Sequence, residues 1–408
     1  MISVEEALKI ILAAIRRMGT EQVQLSNSLG RILSEEISSP LDHPPWDTSA
    51  MDGYAVRWND TGGASRDSAR TLKIIEEIPA GRMPQKKVQP GETSKIMTGA
   101  PMPEGADAVV KVEETERGDD QVRIFEAAEK GDFIRKKGEA IRTGDLILKQ
   151  GIRIRPAEVA MMASIGKSVI PVYQQPRVAI LSTGDELSEL DEPRGANKIF
   201  NSNGYGLTAQ VIEAGGSPIN LGIAKDTKKE LTEKLRGGLH ADFIIASGGV
   251  SMGDYDFVQE VLKDLGAEMK FWKVSMKPGA PLAFGVISGK PAFGLPGNPV
   301  SAMVSFEQFV RPALLMASGR TEIFRPIIQA TLEEEVRKHP GRRHFMRAIA
   351  SVQNGEYRVR TTGDQDSHIL LSLVKANALM ILPETGDRHK AGEKVAVQLL
   401  SDLLVQQG

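Results

Sequence analysis

The 408-residue chain contains no cysteine, which excludes disulfides, thiolate metal centres and a cysteine nucleophile. Its six histidines, at positions 43, 240, 339, 344, 368 and 389, have no ligand-like spacing, so a histidine-based zinc centre is not expected. Charge of either sign is not in excess: 51 basic residues against 53 acidic ones give a net charge of -2. No overall attraction to nucleic acid or to an anionic membrane follows from that balance. The chain has no stretch of about 18 uncharged apolar residues, and its first residues lack the basic-then-apolar pattern of a secretion signal; a cytoplasmic protein is expected. Several catalytic signatures are absent too: the G-x-x-x-x-G-K-[ST] phosphate loop, H-E-x-x-H and the G-x-S-x-G elbow. Gly204-Tyr-Gly206-Leu-Thr-Ala209 imitates a dinucleotide fingerprint. It follows polar Asn201-Ser-Asn203 rather than an apolar strand, which argues against a nicotinamide or flavin site.

At this length, with 41% hydrophobic and 25% charged residues, the chain is expected to fold as about three domains. Residues 4–18 read as a helix, with apolar side chains at 4, 8, 11, 12, 15 and 18 and a capping box formed by Ser3 and Glu6. The following stretch, residues 40–151, is rich in glycine and proline with short β-prone runs at 72–78, 108–112 and 121–125, and predicts a β-rich insertion. From residue 177 the pattern alternates strand and helix: strands at 178–182, 219–223 and 243–247, helices at 205–213, 228–235 and 257–265. Alternation of this kind predicts βαβ units and a parallel sheet. Strands at 271–274, 282–286 and 292–295 and a helix over 300–317 complete the unit. Beyond Gly319 the extended runs 327–336, 344–351, 357–361, 379–382 and 394–400 predict a small β-barrel or sandwich.

Two apolar runs end in glycine-containing loops that carry acids: Val178-Ala-Ile-Leu-Ser-Thr-Gly-Asp185-Glu186, and Phe243-Ile-Ile-Ala-Ser-Gly-Gly249-Val-Ser251-Met-Gly-Asp254-Tyr-Asp256. In open α/β sheets ligands collect outside the carboxyl ends of parallel strands, where glycine lets backbone N–H groups approach an anion. Glu186, Asp226 and Asp256 all fall just beyond strand ends. Taken singly, each is an ordinary solvated surface acid; three near one sheet edge are hard oxygen ligands suited to Mg²⁺ with bound phosphate. Gly248 and Gly249 can equally be a tight β–α turn with Asp256 as an N-cap. Lys273-Val-Ser-Met-Lys277-Pro-Gly279, if extended from 271 to 276, sets Lys273 and Lys277 on one face; otherwise they are solvated. Gly294-Leu-Pro-Gly297-Asn-Pro-Val-Ser301 is a strand-to-helix turn that offers either an oxyanion pocket or a rigid turn with Ser301 capping the helix.

Five motifs in order carry a resemblance. Ser39-Pro-Leu-Asp-His-Pro-Pro-Trp-Asp47-Thr-Ser-Ala-Met-Asp52-Gly-Tyr-Ala55, Met97-Thr98-Gly-Ala-Pro-Met-Pro-Glu-Gly-Ala106, Ser182-Thr-Gly-Asp-Glu186, Ser247-Gly-Gly-Val-Ser-Met-Gly253 and Gly294-Leu-Pro-Gly-Asn-Pro-Val-Ser301 run nearly end to end. The chain resembles the molybdopterin molybdenumtransferases, the bacterial and archaeal MoeA proteins related to the gephyrin E domain. The resemblance implies an elongated homodimer of four-domain chains: a discontinuous linker domain of residues 1–46 and 147–176, a β-rich insertion domain of 47–146, an α/β parallel-sheet molybdopterin-binding domain of 177–320 and a C-terminal β-barrel of 321–408. It implies that molybdate and adenylylated molybdopterin react to give molybdenum cofactor and AMP with Mg²⁺, in a cleft shared between subunits, with molybdopterin adenylyltransferase as a possible partner. Site roles are implied residue by residue. Metal and phosphate chemistry falls to Glu186, Asp226 and Asp256, with Gly248, Gly249 and Ser251 cradling the phosphate. Lys273, Lys277, Ser301, Arg347 and Ser367 match molybdate- or anion-binding positions, Asp52 and Thr98 match positions that the insertion contributes to the cleft, and Asp52, Asp256, Lys273 and Lys277 match the catalytic set. By pattern alone, Arg347 is a solvated arginine on a strand and Ser367 a loop serine. The chain departs from the family pattern at Gly138-Glu139-Ala140, where relatives commonly have a second acid, and at Asp254, which can share the metal with Asp256. A molybdopterin adenylyltransferase and a partner-binding scaffold are the competing readings, and molybdate is not distinguished from tungstate.

Overall fold

In the computed structural model, residues 1–193, 195–249, 257–401 and 404–405 are described. The chain divides into two compact units, one of Glu35–Gln150 with Ala160–Ser168, the other of Met1–Ser34, Gly151–Val159 and Val169–Gly408.

The first unit is the β-rich one. Its six-stranded sheet runs in the order Ala108–Lys111, Gly53–Val56, Glu92–Ile96, Arg70–Ile78, Gln121–Ile124, Thr115–Arg117. Only the Glu92–Ile96 and Arg70–Ile78 pair is parallel. Successive side chains of a strand face opposite ways, and the sheet uses both faces: Tyr54, Val56, Ala108, Val110 and Val122 pack into one core, Ala55, Val109, Ile78 and Ile96 into another.

The second unit contains the α/β sheet, ordered Ser217–Ala224, Arg177–Thr183, Phe243–Ser247, Lys290–Leu295, Ala283–Ile287, Glu268–Phe271. The first four strands are parallel, as the alternation predicts, and the hairpin partner Ala283–Ile287 and the edge strand Glu268–Phe271 add on antiparallel. All five residues of Phe243–Ser247 are buried, the mark of a strand covered on both faces. Val178, Ile180, Phe243 and Ile245 pack with the Ser202–Glu213 helix and the long helix after Pro299, while Leu181, Ile244 and Ala246 pack with the helices Lys228–Gly238 and Val258–Asp264. The long helix is α-helical over Pro299–Ser305 and Arg311–Ala317 with a π turn, Phe306–Val310, between them. Pro312 supplies the reason, since it has no N–H to continue the i−4 ladder.

C-terminal strands Arg343–Gln353, Glu356–Thr361, Ile327–Leu332, Lys394–Leu399 and Ala378–Leu382 pair in that order, and the last pairs back to the first. This closes a five-stranded barrel filled by Ala330, Leu332, Met346, Ala348, Val359, Met380 and Val397.

Two local expectations change. The first helix spans Val4–Ala14 rather than 4–18; Ser3 accepts from Glu6 N at 3.0 Å, but Ile15 is already extended. Met18 N instead donates to Ala317 O at 2.8 Å, and Thr20–Gln24 pairs with Val169–Tyr173. The strand expected at 271–274 ends at Phe271. Val274 bridges Ile2, and Met276–Lys277 joins the barrel strand at Arg343 and His344. Lys273 and Lys277 therefore do not share the face of one continuous strand.

Candidate functional site

The four parallel strands end at a cavity of about 610 Å³. Ser182 and Thr183, Ser247, Pro296 and Asp226 line it, each at or just past a different strand's carboxyl end. Gly248 and Gly249 form its turn, with φ of 96° and 62°. A Cβ on Gly248 would lie 2.5 Å from Thr183 O, and one on Gly249 would lie 2.9 Å from Val258 Cγ2, so the turn admits only glycine on grounds of both backbone angle and space. Gly248 N donates to Leu295 O at 3.0 Å, while Gly249 N makes no backbone hydrogen bond among the described residues and can serve as a donor to a ligand.

Asn203 ties the turns together. Its Nδ2 donates to Ser247 Oγ at 2.9 Å and to Gly297 O at 2.7 Å, and Ser247 Oγ donates to Pro296 O at 3.3 Å. Three buried polar atoms of the cavity lining, Ser182 Oγ, Thr183 Oγ1 and Asn203 Oδ1, have no hydrogen-bond partner among the described residues. Buried polar atoms are rarely left unpaired, so the floor suits an oxygen-rich ligand.

The acids come together as expected for two of three. Glu186 and Asp226 line this cavity. Asp185 N donates to Asp226 Oδ2 at 3.4 Å and Asp226 N to Asp185 Oδ1 at 3.3 Å, which ties the two loops side by side. Gly184, at φ 151°, leaves the room in which the Glu186 carboxylate folds back, since a Cβ there would meet its oxygens at 2.5–2.7 Å. Asp256 and Ser251 lie outside the described residues. Among the described residues no group of three or more acids or histidines is disposed to hold a metal; Glu186 and Asp226 alone present hard oxygen donors of the kind Mg²⁺ takes.

Lys277 and Arg347 line a different cavity, of about 650 Å³, at the barrel. Arg347 is not the solvated strand arginine that its pattern suggests: it is 1% exposed. Its Nε donates to Ser372 Oγ at 2.9 Å and its Nη2 to Asp366 O at 3.2 Å. Burial pulls its pKa down to about 10 against the opposing pull of Asp364 and Asp366. Lys273 is exposed and lines neither cavity. Ser301 is buried in the first turn of the long helix, whose N-cap is Asn298. The cap is completed from the barrel: Val300 N donates to Ser367 O at 3.2 Å and Asn298 Nδ2 to Ser367 Oγ at 3.0 Å. The loop around Ser367 borders both cavities, with Asp364 and Asp366 lining the barrel cavity and His368 the sheet cavity.

Asp52 and Thr98 belong to the β-rich unit. Thr98 N and Oγ1 both donate to Asp52 Oδ1, at 2.7 and 2.8 Å, and the Thr98 amide holds the Asp52 carboxyl below the usual carboxylate range. Sequence reasoning missed Asn203, Lys338 and His344. Asn203 stands in the polar triplet that argued against a dinucleotide site; Lys338 and His344 give no signal in the sequence.

Three family models match the chain in order: the MoeA N-terminal region (domain I and II) over residues 2–166, a probable molybdopterin binding domain over 179–316 and the MoeA C-terminal region (domain IV) over 329–400. The chain is 39% identical over 405 residues to the molybdopterin molybdenumtransferase 2 of Mycobacterium tuberculosis, covering 97% of this chain and 99% of that one. It is 37% identical over 407 residues to the molybdopterin molybdenumtransferase of a Nostoc species, covering 97% and 93%. The crystal structure of a molybdopterin biosynthesis moeA protein from Pyrococcus horikoshii is similar over 98% of this chain and all of that one, with a TM-score of 0.84 and 34% identity. With these matches spanning both cavities and all three matched regions, the chain belongs to the MoeA family, the molybdopterin molybdenumtransferases of molybdenum cofactor biosynthesis.

Proposed function

We propose that the chain inserts molybdate into adenylylated molybdopterin and releases AMP and molybdenum cofactor in a Mg²⁺-dependent reaction. The observation that carries this reading is the sheet cavity, whose lining apart from His368 lies in the segment matched by a probable molybdopterin binding domain, and which joins Glu186 and Asp226 to the Gly248-Gly249 turn. In the reading, Gly248, Gly249 and Ser251 receive the phosphate side of the substrate, and Ser182, Thr183 and Asn203 hydrogen-bond its oxygens. Glu186 and Asp226, with Asp256, hold the divalent cation. Such a cation, when bound, offsets the negative charge of a pyrophosphate link. Lys273, Lys277, Ser301, Arg347 and Ser367 are assigned to molybdate; a dianion is best held by fixed cationic and hydroxyl donors, and the two hydrogen bonds of Arg347 fix its guanidinium. With the substrates so held, positioning supplies much of the rate.

The chain works, in this reading, as a cytoplasmic homodimer in which Asp52 and Thr98 of one chain complete the cleft of the other. The four-domain division into 1–46 with 147–176, 47–146, 177–320 and 321–408 belongs to the same proposal, and a molybdopterin adenylyltransferase supplies the adenylylated substrate. The test is AMP release from adenylylated molybdopterin with molybdate at limiting Mg²⁺. Asp226→Asn is expected to slow release at least tenfold, a barrier rise of about 1.4 kcal/mol. Wild-type rates in that variant would remove Asp226 from the metal site.

A further inference from the structure

The barrel cavity contains three basic side chains that are more than nine-tenths buried: Lys338 at 7% exposure, His344 at 4% and Arg347 at 1%. Lys338 follows the short strand Val336–Arg337, which pairs with Arg388–His389, and its N–H donates to Asp387 O at 2.9 Å. Among the described residues its ammonium reaches one acceptor, the carbonyl of Glu384, at 3.4 Å. Among the described residues no carboxylate lies within 4.0 Å of it. Of the acids nearby, Glu384 and Asp387 act favourably on it from beyond that distance, and three are engaged by other groups. Glu384 pairs with Arg343 at 3.2 Å, Glu335 pairs with Arg337 and Arg388, and Glu334 accepts from both the amide and the hydroxyl of Thr361.

A buried ammonium that no carboxylate contacts directly is costly. Lys277 stands on the strand that pairs with Arg343–His344, and Lys277 and Lys338 both act on the His344 imidazole. Lys277, Lys338 and Arg347 thus line one cavity around that imidazole, and the acids of the same lining, Glu334, Glu335, Asp364, Asp366 and Asp387, are exposed rather than buried.

We propose that Lys338 is a further anion-binding residue, which forms with Lys277 and Arg347 a subsite in the barrel cavity for a tetrahedral dianion of the molybdate class, walled by His344. The proposal rests on the reading above that Lys277 and Arg347 receive the oxyanion, and it adds the one fully inserted ammonium that reading lacked. Arg347 offers a planar fork and the two lysines offer point charges, so together they can surround a tetrahedral ion on several sides.

The experiment is calorimetric titration of the full chain with sodium molybdate, compared with Lys338→Met, whose side chain has similar length and no charge. Molybdate affinity is expected to fall at least fivefold, while affinity for adenylylated molybdopterin changes less than twofold, a split that a merely structural lysine would not give. Because the substitution removes a buried charge that no carboxylate contacts directly, the variant is expected to melt no lower than wild type without molybdate. Should it aggregate, Lys338→Gln carries the same test. A loss of molybdate affinity below fivefold, or equal losses for both ligands, overturns the assignment. If molybdate affinity is unchanged in the variant while the wild type still releases AMP, only the role of Lys338 fails. If affinity falls as expected but the wild type releases no AMP, Lys338 stands and the transferase reading fails.

Discussion

The sheet cavity and the barrel cavity have nearly the same volume, about 610 and 650 Å³, but they are built from opposite materials. The sheet cavity is made of glycine turns, prolines, hydroxyls and amides, and the charged groups of its lining are the carboxylates of Glu186 and Asp226, with no lysine or arginine among the described lining residues. The barrel cavity carries charge of both signs, with Lys277, Arg337, Lys338 and Arg347 against Glu334, Glu335, Asp364, Asp366 and Asp387, but its acids are exposed while Lys338 and Arg347 are buried. An anion entering the first meets carboxylates and needs a divalent cation between them and itself; an anion that reaches the buried part of the second meets cations directly. On the proposed reading, this is why the Mg²⁺ requirement belongs to the phosphate side of the reaction and not to the binding of molybdate.

The sharpest way to break the comparison is at the glycine turn. Gly248→Ala forces a Cβ to within 2.5 Å of Thr183 O at a backbone angle of φ 96°. Left-handed backbone alone costs roughly 1–2 kcal/mol for a residue with a Cβ. We expect Gly248→Ala to lower the melting temperature and to cut AMP release by about a hundredfold or more, roughly 2.7 kcal/mol of barrier, with molybdate binding retained. Gly297→Ala is the control: its Cβ meets Gly248 Cα at an ordinary 3.6 Å, so the fold should keep its wild-type melting temperature. If Gly248→Ala is as active as wild type, the turn does not shape the site; if it loses molybdate binding as well, the cavities are not separable.

A smaller effect is expected in the barrel. Burial, with Lys338, Lys277 and His339 facing it, pushes the His344 imidazole down to about 4, and a hydrogen bond to the His339 backbone opposes this only in part. An unfolded histidine titrates near 6.5. The unfolded chain therefore takes up a proton between those values while the folded one does not, so the stability from neutral His344 is complete above about 6.5 and is lost as pH falls toward 4. The loss should be on the order of 2–3 kcal/mol. His344→Gln should flatten the pH dependence of the barrel's unfolding over that window, as followed by denaturant melts at several pH values. An unchanged slope would mean that His344 is solvated or already protonated in the native state.

Much of the architecture was legible because it follows from patterns confined to short segments. The apolar run Phe243–Ala246 reads as a strand of a parallel sheet, and the glycine turn after it as a site loop. What the sequence did not disclose depends on contacts between distant segments. Ser301 offered either an oxyanion pocket or a helix cap, but the cap is completed by Ser367, which a barrel loop carries to the helix start. Arg347 looked solvated because an arginine on a strand usually is, and only closure of the barrel buries it. Lys338 is one lysine among many until the fold buries it in the cavity that Lys277 and Arg347 also line. Lys273 and Lys277 failed the face-sharing expectation because the strand breaks at Phe271 to let Ile2 and the barrel each take a piece of the segment.

The least disruptive test concerns Asp52, an exposed carboxylate whose partner Thr98 lies 46 residues away in the same unit. Its removal should leave the melting temperature nearly unchanged, because it takes no packing from the core. Its consequence is for the proposed shared cleft. Asp52→Ala and Asp226→Asn chains, each inactive as a homodimer in the proposed reading, are mixed and allowed to exchange subunits, with the mixed dimer verified by mass spectrometry. If Asp52 serves the partner's cleft while Asp226 serves its own chain's, every mixed dimer has one cleft with both lesions and one with neither. Random exchange makes about half the dimers mixed, so activity should return to about a quarter of wild type. Verified mixed dimers that stay as inactive as their parents would mean that the cleft is built within one chain, or that its two copies cannot work independently; either result removes the shared site as proposed, while the contrast between a sheet cavity without lysine or arginine among its described lining residues and a barrel cavity with two buried cations would stand.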